Sequence, residues 1–536
     1  MERIEGQVTG HKQLAMRVLS WIICAKRPLT ALELQQALAV EVGTCDLDRD
    51  NFVEIQLMVS ACAGLVTVDS PSCVIRLVHR TAQEFFERRR GVIFPSAEKE
   101  IALVCATYLS LGTFDTGVCL TRVALEQRLR SYPFYRYAAQ NWGHHARTAL
   151  VASSSISCLL ESRAYIEAAF QAITAAKWPS GLPPNDEAVT LGVIRGITGL
   201  HISAYFGMPT LAVELINNQI DLDATDSDNR SPLSYAAENG HAGIATLLLA
   251  TGRVNPDLPD RLGRTPLSWA AENGHDVVAK LLLEVDVRVN SQDAILHYTP
   301  LSYAARNGHE AVVRVLLTAE LVNPEYLDRG GRNSLSLAAE GGSQATVKAL
   351  LDFGTVVESV NFRIDDRTPL SYAAENGHVG VVELLLQRED VDINARDGKG
   401  RTPLWHACVN GSTDTEEGHG GIGGHETVAL LLLERGADVD ARDDDGRAPL
   451  WYAAEYGCDA MVKILRQYHA GTELVRSGET PLHRAGPHSI CAQMGTAPTA
   501  STPTMPALGD PSPPLPTDQD LSPGPTVWYV LILTVV

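Results

Sequence analysis

Few residues in this chain stand at spacings that could do chemistry. Gly418-His419-Gly420-Gly421-Ile422-Gly423 matches the letters G-x-G-x-x-G of a dinucleotide-binding turn. Such a turn works only between a strand and a helix, where backbone N–H groups meet a pyrophosphate. Here a helical pattern precedes it, so the expected state is a flexible surface loop inserted over Ser412–Gly424. His419 and His425 are potential metal ligands, yet no well-spaced third ligand accompanies them. The ten cysteines include no Cys-x-x-Cys pair. That usage fits buried thiols in a reducing compartment better than a zinc site or a disulfide framework. Neither a G-x-x-x-x-G-K-[ST] phosphate loop nor a G-x-S-x-G nucleophile elbow occurs. No catalytic residue, cofactor or metal is expected.

The side chains that do recur are of another kind. One short phrase returns along the middle of the chain. It ends in Glu238-Asn239, Glu272-Asn273, Arg306-Asn307, Glu340-Gly341, Glu375-Asn376, Val409-Asn410 and Glu455-Tyr456. Tyr235, Trp269, Tyr303, Tyr372, Trp405 and Tyr452 run beside them. Carboxylates next to aromatic rings can hold a Lys/Arg-rich segment through ion pairs and cation–π contacts. They do so only if the fold sets them in one row. The same residues also read as half-buried packing, with Glu-Asn pairs copied by duplication and no ligand behind them.

The positioning elements are repeats. Thr-Pro-Leu-x-x-Ala-Ala-x-x-Gly-His recurs from Ser231, Thr265, Thr299 and Thr368, and in split form from Thr402. Degenerate copies start at Thr198, Asn333, Ala448 and Thr480, so successive starts lie 33, 34, 34, 34, 35, 34, 46 and 32 residues apart. Thr caps a helix, and Pro fits its first position. Leu233, Ala236 and Ala237 share one helical face, where the small alanines admit a neighbouring helix. Asn239-Gly240 is a pair that accepts positive φ and ends the helix. A second helix carries the apolar load, as in Leu247–Leu249 and Leu430–Leu433, and a polar turn such as Asp443–Arg447 follows. No single unit can bury its own apolar face, so stacking is obligatory. The phrase and its period resemble the ankyrin repeat over about 290 residues. The resemblance implies that the two positions after Ala-Ala line a concave, partner-binding face. Glu238, Asn239, Glu272, Asn273, Arg306, Asn307, Glu375, Asn376, Glu455 and Tyr456, with Trp269 and Tyr303, become the candidate partner-binding residues. One departure stands out. The histidine usual after Thr-Pro-Leu is Ser234, Ser268, Ser302, Ser336 and Ser371 here, and survives only at His201 and His483. An altered turn network is expected.

Charge narrows the partner. Residues 1–190 hold 19 acidic and 19 basic side chains, whereas residues 191–486 hold 42 acidic and 25 basic. So acidic a segment repels phosphate backbones, and nucleic acid is not expected as its ligand. A basic protein partner fits it; so does charge that serves solubility alone. No run of about 18 apolar residues exists, and no membrane span is expected. Met1–Gly10 is polar and no small-residue cleavage site follows an apolar region. The expected compartment is intracellular, cytoplasmic with the nucleus open.

The N-terminal residues 1–92 read as three helices and a hairpin. An amphipathic helix covers 8–27, and Thr30 with Glu33 forms a capping box flanked by a Leu29–Leu34 staple. A third helix runs from Asn51 to Ala63, and strands follow over Leu65–Asp69 and Cys73–His79. Thr81 and Glu84 predict a second capping box. Val18-Leu19-Ser20-Trp21-Ile22, Ala63-Gly64-Leu65-Val66 and Arg76 through Phe86 resemble the GPI inositol-deacylase winged helix of fungal-type NACHT–ankyrin signalling NTPases. Tyr135 through His145 is similar to the helical segment that follows it in those proteins. The resemblance implies a nucleotide-sensing role for His79; packing against Phe85 or capping a strand is the plainer role. Arg88-Arg89-Arg90 is the one basic run, a weak basis for DNA binding.

The expected architecture is mainly α. A winged helix (1–92) and a helical linker region (93–195) precede about eight ankyrin repeats with a broken ninth (196–486). A disordered Pro-rich tail (487–536) follows, with Pro511-Ser512-Pro513-Pro514-Leu515-Pro516 prone to polyproline II and Val527–Val536 apolar. The repeat broken after Ala485 and followed by unrelated composition reads as a frameshifted or misread exon. Met1 falls where resembling chains continue upstream, so a truncated N-terminus is expected. The function expected is a non-enzymatic scaffold in a NOD-like signalling system. The rivals are the regulatory half of a NACHT NTPase and a winged-helix nucleic-acid regulator.

Overall fold

The computed structural model describes residues 2–151, 156–175, 194–218, 220–354, 367–410 and 424–471. The Gly418–Gly423 letters, the broken repeat from Thr480 and the tail lie outside them.

The first unit is built as its caps and hairpin dictate. Thr9–Cys24, Ala31–Ala39 and Ile55–Ala61 are helices, and β1 (Val66–Val68) pairs antiparallel with β2 (Ile75–Leu77), Val66 facing Leu77. The Thr30 capping box forms: Glu33 N–H donates to Thr30 Oγ1 at 3.2 Å, and Thr30 N–H to Glu33 Oε2 at 2.8 Å. The Thr81–Glu84 box does not. His79, two residues past β2, is the extended N-cap of the next helix, and its carbonyl accepts the N–H groups of Ala82 at 3.0 Å and Gln83 at 3.3 Å. The first turn thus closes from His79, and the helix Arg80–Arg88 already contains Thr81. The third helix also begins later than expected, at Ile55, because a 3-10 turn capped by Asp48 occupies Arg49–Asn51.

Helices Ala97–Leu109 and Phe134–Ala149 pack on each other and share the core of that unit. The Trp21 ring stands edge-on to Phe134 at 5.5 Å and to Tyr137 at 6.1 Å. Buried Gln36 accepts the Tyr108 hydroxyl at 2.6 Å and the Phe134 N–H at 3.2 Å. A polar chain crosses the same seam. Lys26 N–H donates to the Tyr137 oxygen at 3.0 Å, the Tyr137 hydroxyl to His145 Nε2 at 2.9 Å, and His145 Nδ1–H to Glu98 at 2.5 Å. Lys26 Nζ, at 3.3 Å, and Arg90 also reach Glu98. Burial, helped by Lys26 and Arg90, holds the His145 imidazole down to about 3. A neutral ring matches its one-donor, one-acceptor bonding.

Eight helix pairs follow among the described residues. The first helices are Gly199–Phe206, Pro232–Glu238, Pro266–Glu272, Pro300–Arg306, Ser334–Gly341, Pro369–Glu375, Pro403–Asn410 and Pro449–Glu455, each stacked on the next. The second helices form a row behind them, from Pro209–Asn217 to Asp459–Gln467. Ser231, Thr265, Thr299 and Thr368 cap their helices with Pro at the first position, as their types require. Of Asn239-Gly240, only Gly240 takes positive φ, +70° against −99° at Asn239. A Cβ on Gly240 would also lie 2.5 Å from the His275 ring of the next repeat. The helical unit meets the array at Gly143, where a Cβ would lie 2.2 Å from the Phe206 ring. Trp142 stands edge-on to the same ring at 5.4 Å.

Candidate functional site

The face made by the first helices is organised from buried aspartates in the loops before six of the eight, Asp226, Asp260, Asp293, Asp328, Asp397 and Asp443. Asp260 Oδ1 accepts the N–H groups of Leu262 at 2.8 Å and Arg264 at 2.9 Å, and Oδ2 accepts Arg264 Nε at 3.0 Å. Arg264 then reaches Glu272 at 3.6 Å. Arg332 repeats both side-chain bonds, and Arg230 and Arg367 repeat the glutamate bond. Arg332 bonds Asp328 at 2.8 Å and Glu340 at 2.7 Å, Arg230 bonds Glu238 at 2.5 Å, and Arg367 bonds Glu375. The carboxylates of Glu238, Glu272 and Glu375 are therefore paired inside their own repeats. This Asp–Arg–Glu triad, at i, i+4 and i+12, is what sequence reasoning missed. Its signal was the Asp-x-x-x-Arg directly before Ser231, Thr265, Asn333, Thr402 and Ala448, as in Asp260–Arg264 and Asp328–Arg332.

The aromatic rings are engaged by the same arginines. Arg230 lies 4.0 Å from the ring centres of both Tyr235 and Trp269, and Arg264 lies 3.7 Å from that of Trp269. Trp269 is buried under two guanidinium groups rather than open to a partner's cation. Tyr303 is half-buried, and its hydroxyl donates to Asp293 at 3.1 Å as Tyr235 donates to Asp226 at 2.6 Å. Trp405 is one residue out of register with the aromatic row. His406 holds the ring position, bonding Asp397 at 3.1 Å, and Trp405 stands where other repeats carry Ser. Burial alone would push the Asp397 carboxyl up; His406 and the backbone N–H groups of Arg401 and Lys399 outweigh it and hold it down to about 2. Glu272 goes the other way, raised by burial that Arg264 only partly offsets.

At the ends of five first helices stand asparagines, of which Asn273, Asn307 and Asn376 are exposed. Asn239, Asn273 and Asn376 donate to carbonyls of their own helices, at 2.9, 3.0 and 3.0 Å. Asn307 instead donates to the Glu272 carbonyl of the preceding repeat at 2.8 Å, which His309 Nε2 also bonds at 3.0 Å. His241, His275, His378 and His425 make the same bond backward, at 3.1, 2.9, 2.9 and 2.9 Å. His425 thus belongs to this ladder of inter-repeat joints, although an insertion precedes it. The hydroxyls of Ser234, Ser268, Ser302 and Ser371 turn back on their caps, Ser302 Oγ lying 2.9 Å from Thr299 Oγ1. His201 instead bridges onward to the Arg230 carbonyl at 3.0 Å. Glu455 and Tyr456 are exposed at the far end of the row.

Arg306 breaks the pattern. In its repeat the arginine position before the cap is Tyr298 and the glutamate position is Arg306. Arg306 donates to the Tyr298 hydroxyl at 2.6 Å, which also accepts Arg332 at 3.1 Å.

His79 is exposed at the foot of β2. Among the described residues no group of three His, Cys, Asp or Glu could hold a metal, and no helix is long and apolar enough to cross a membrane.

Two family models match the chain. One, described as ankyrin repeats in three copies, matches residues 200–293, 280–361, 355–416 and 421–492. The other, the winged helix domain of GPI inositol-deacylase, matches residues 1–90. None of the curated proteins compared matches the chain. Among solved structures, the human ASB11 ankyrin repeat domain is 27% identical with a TM-score of 0.38, covering 44% of this chain and 100% of its own. The ankyrin repeat domain of Bcl-3, a member of the IkappaB family, is 23% identical with a TM-score of 0.36, covering 51% of this chain and 99% of its own.

Proposed function

Because the chain belongs to the ankyrin-repeat family, whose repeats are protein–protein interaction modules, we propose that it is a non-enzymatic scaffold capturing a protein partner on the concave face of its first helices. The observation that supports this is the double fixing of that face. Arginine–glutamate pairs hold four of the helix ends within their repeats, two of them through a buried aspartate as well, and histidines tie five repeats to the one before. Asn273, Asn307, Asn376, Glu455 and Tyr456 are left exposed on a row whose order is set before any partner arrives, which lowers the cost of binding. A segment with basic side chains fits the row of glutamates. Their own arginines offset much of that charge, so shape and the asparagine amides carry as much of the recognition.

We place this scaffold in a NOD-like signalling system on the resemblance of its winged helix to that of NACHT–ankyrin NTPases; the match of residues 1–90 is to the winged helix itself. Neither nucleic acid nor membrane enters this reading.

A photo-crosslinking residue at position 273 or 376 tests the face, against controls at 280 and 383 on exposed positions of second helices. The expected result is one protein from cell extract captured from the first pair alone. Capture from the second pair alone would move recognition to the other row.

A further inference from the structure

The reversal at Arg306 gives the first-helix face a polarity, and its meaning for a partner rests on that face being the one that binds. Arg230, Arg264, Arg332 and Arg367 each meet a glutamate of their own repeat. Arg264 and Arg332 also bond a buried aspartate. Arg306 has no carboxylate partner among the described residues; its one bond goes to a neutral phenol. A guanidinium has five N–H donors in a rigid fork, and this one directs a single donor to the protein. The glutamates on either side, Glu272 and Glu340, lie one repeat away, about 8–10 Å for packed helices, and are committed to Arg264 and Arg332. The helix end is pinned as well, since Asn307 and His309 both hold the Glu272 carbonyl. Arg306 is therefore a half-buried, pre-positioned cation between two glutamate positions.

We propose that the partner is a segment of alternating charge, which sets an acidic side chain on Arg306 and hydrogen-bond donors or basic side chains one repeat to either side. A uniformly basic segment would place a cation against Arg306, and like charges at such range cost several kcal/mol. A carboxylate there can take the guanidinium fork in two parallel bonds.

The probe is a random linear peptide library, selected on the full chain and on Arg306→Gln and Arg306→Glu. Glu is the residue that other repeats carry at this position, so the second variant keeps the array's own pattern. Peptides are scored if Asn273→Trp, which crowds the exposed rim, abolishes their binding. The native chain should select Asp or Glu at one register with Lys or Arg flanking it. Arg306→Glu should weaken those peptides about tenfold or more and select Lys or Arg at that register instead. Scored peptides with no acidic register, or an acidic register unchanged in both variants, overturn this proposal and leave the concave face standing. A library without a single scored peptide overturns both.

Discussion

Arg332 and Arg306 carry the same charge, and its loss should cost far more at Arg332. Arg332 is nearly buried, with its side chain 10% exposed against an Asp328 side chain at 1%. Arg332→Met leaves that aspartate without its cation, which costs about 3–5 kcal/mol where one partner of a buried pair is removed. Arg306→Met strands no carboxylate and should cost under about 1 kcal/mol. Urea melts followed by tryptophan fluorescence decide this; equal losses would deny the triad its structural part. Histidines set the acid limit. Burial holds His144 and His201 down to about 4 and His145 to about 3, from an ordinary 6.5. Folded, they stay neutral; unfolded, they take up protons below 6.5. Their contribution is whole above that value and is lost as pH falls through about 4. Asp397, held at about 2 against 3.8, adds a second loss below 3.8. The melting temperature should fall steadily from pH 6.5 to 4.5 and fall less in His201→Gln. A constant value over that interval would contradict the assignment.

The joint between repeats pairs a glycine with the next repeat's histidine. Gly240→Ala meets both a left-handed backbone and the His275 ring, so it should cost more than about 1 kcal/mol. His275→Ala removes the ring and also the bond to the Glu238 carbonyl. The double variant should lose less than the two single losses added together; strict additivity would mean that the ring does not oppose the new methyl. These joints explain what the sequence could reveal. Helix starts were legible because Thr-Pro and Thr30–Glu33 act within one turn. The row of glutamates was legible as a period, but not its arginine partners. A contact between residues 264 and 272 runs from a loop across a whole helix, and no helical or strand period points to it. Trp405 was misplaced because the aromatic and serine positions differ by one residue, and only the bond to Asp397 shows that His406 fills the first. The Thr81 box failed for a related reason: the helix begins from the His79 carbonyl, two residues before Thr81.

At the scale of the molecule, the helices between the winged unit and the array bind both. Trp21 meets Phe134 on one side, and Trp142 meets Phe206 on the other. Gly143→Leu would drive a side chain into the Phe206 ring and pry the first repeat away. Calorimetry should then show the array melting apart from residues 2–151; a single unchanged transition would mean that this contact does not couple them. The arrangement of bonds also bears on inheritance. The triad closes inside one repeat, and five boundaries carry the same histidine joint, at 241, 275, 309, 378 and 425. A repeat can be copied or dropped whole by unequal recombination, and the neighbours rejoin. Two boundaries carry a further bond, one where Arg367 reaches His406 of the next repeat at 3.2 Å and one where the Tyr298 hydroxyl takes Arg332 from the following repeat. That boundary also has Ser343 where the histidine would stand, its Oγ 3.5 Å from the Gly308 carbonyl. The two repeats from Thr299 to Gly354 are thus one heritable block. Lineages of this gene should gain and lose repeats around the block while transmitting it undivided.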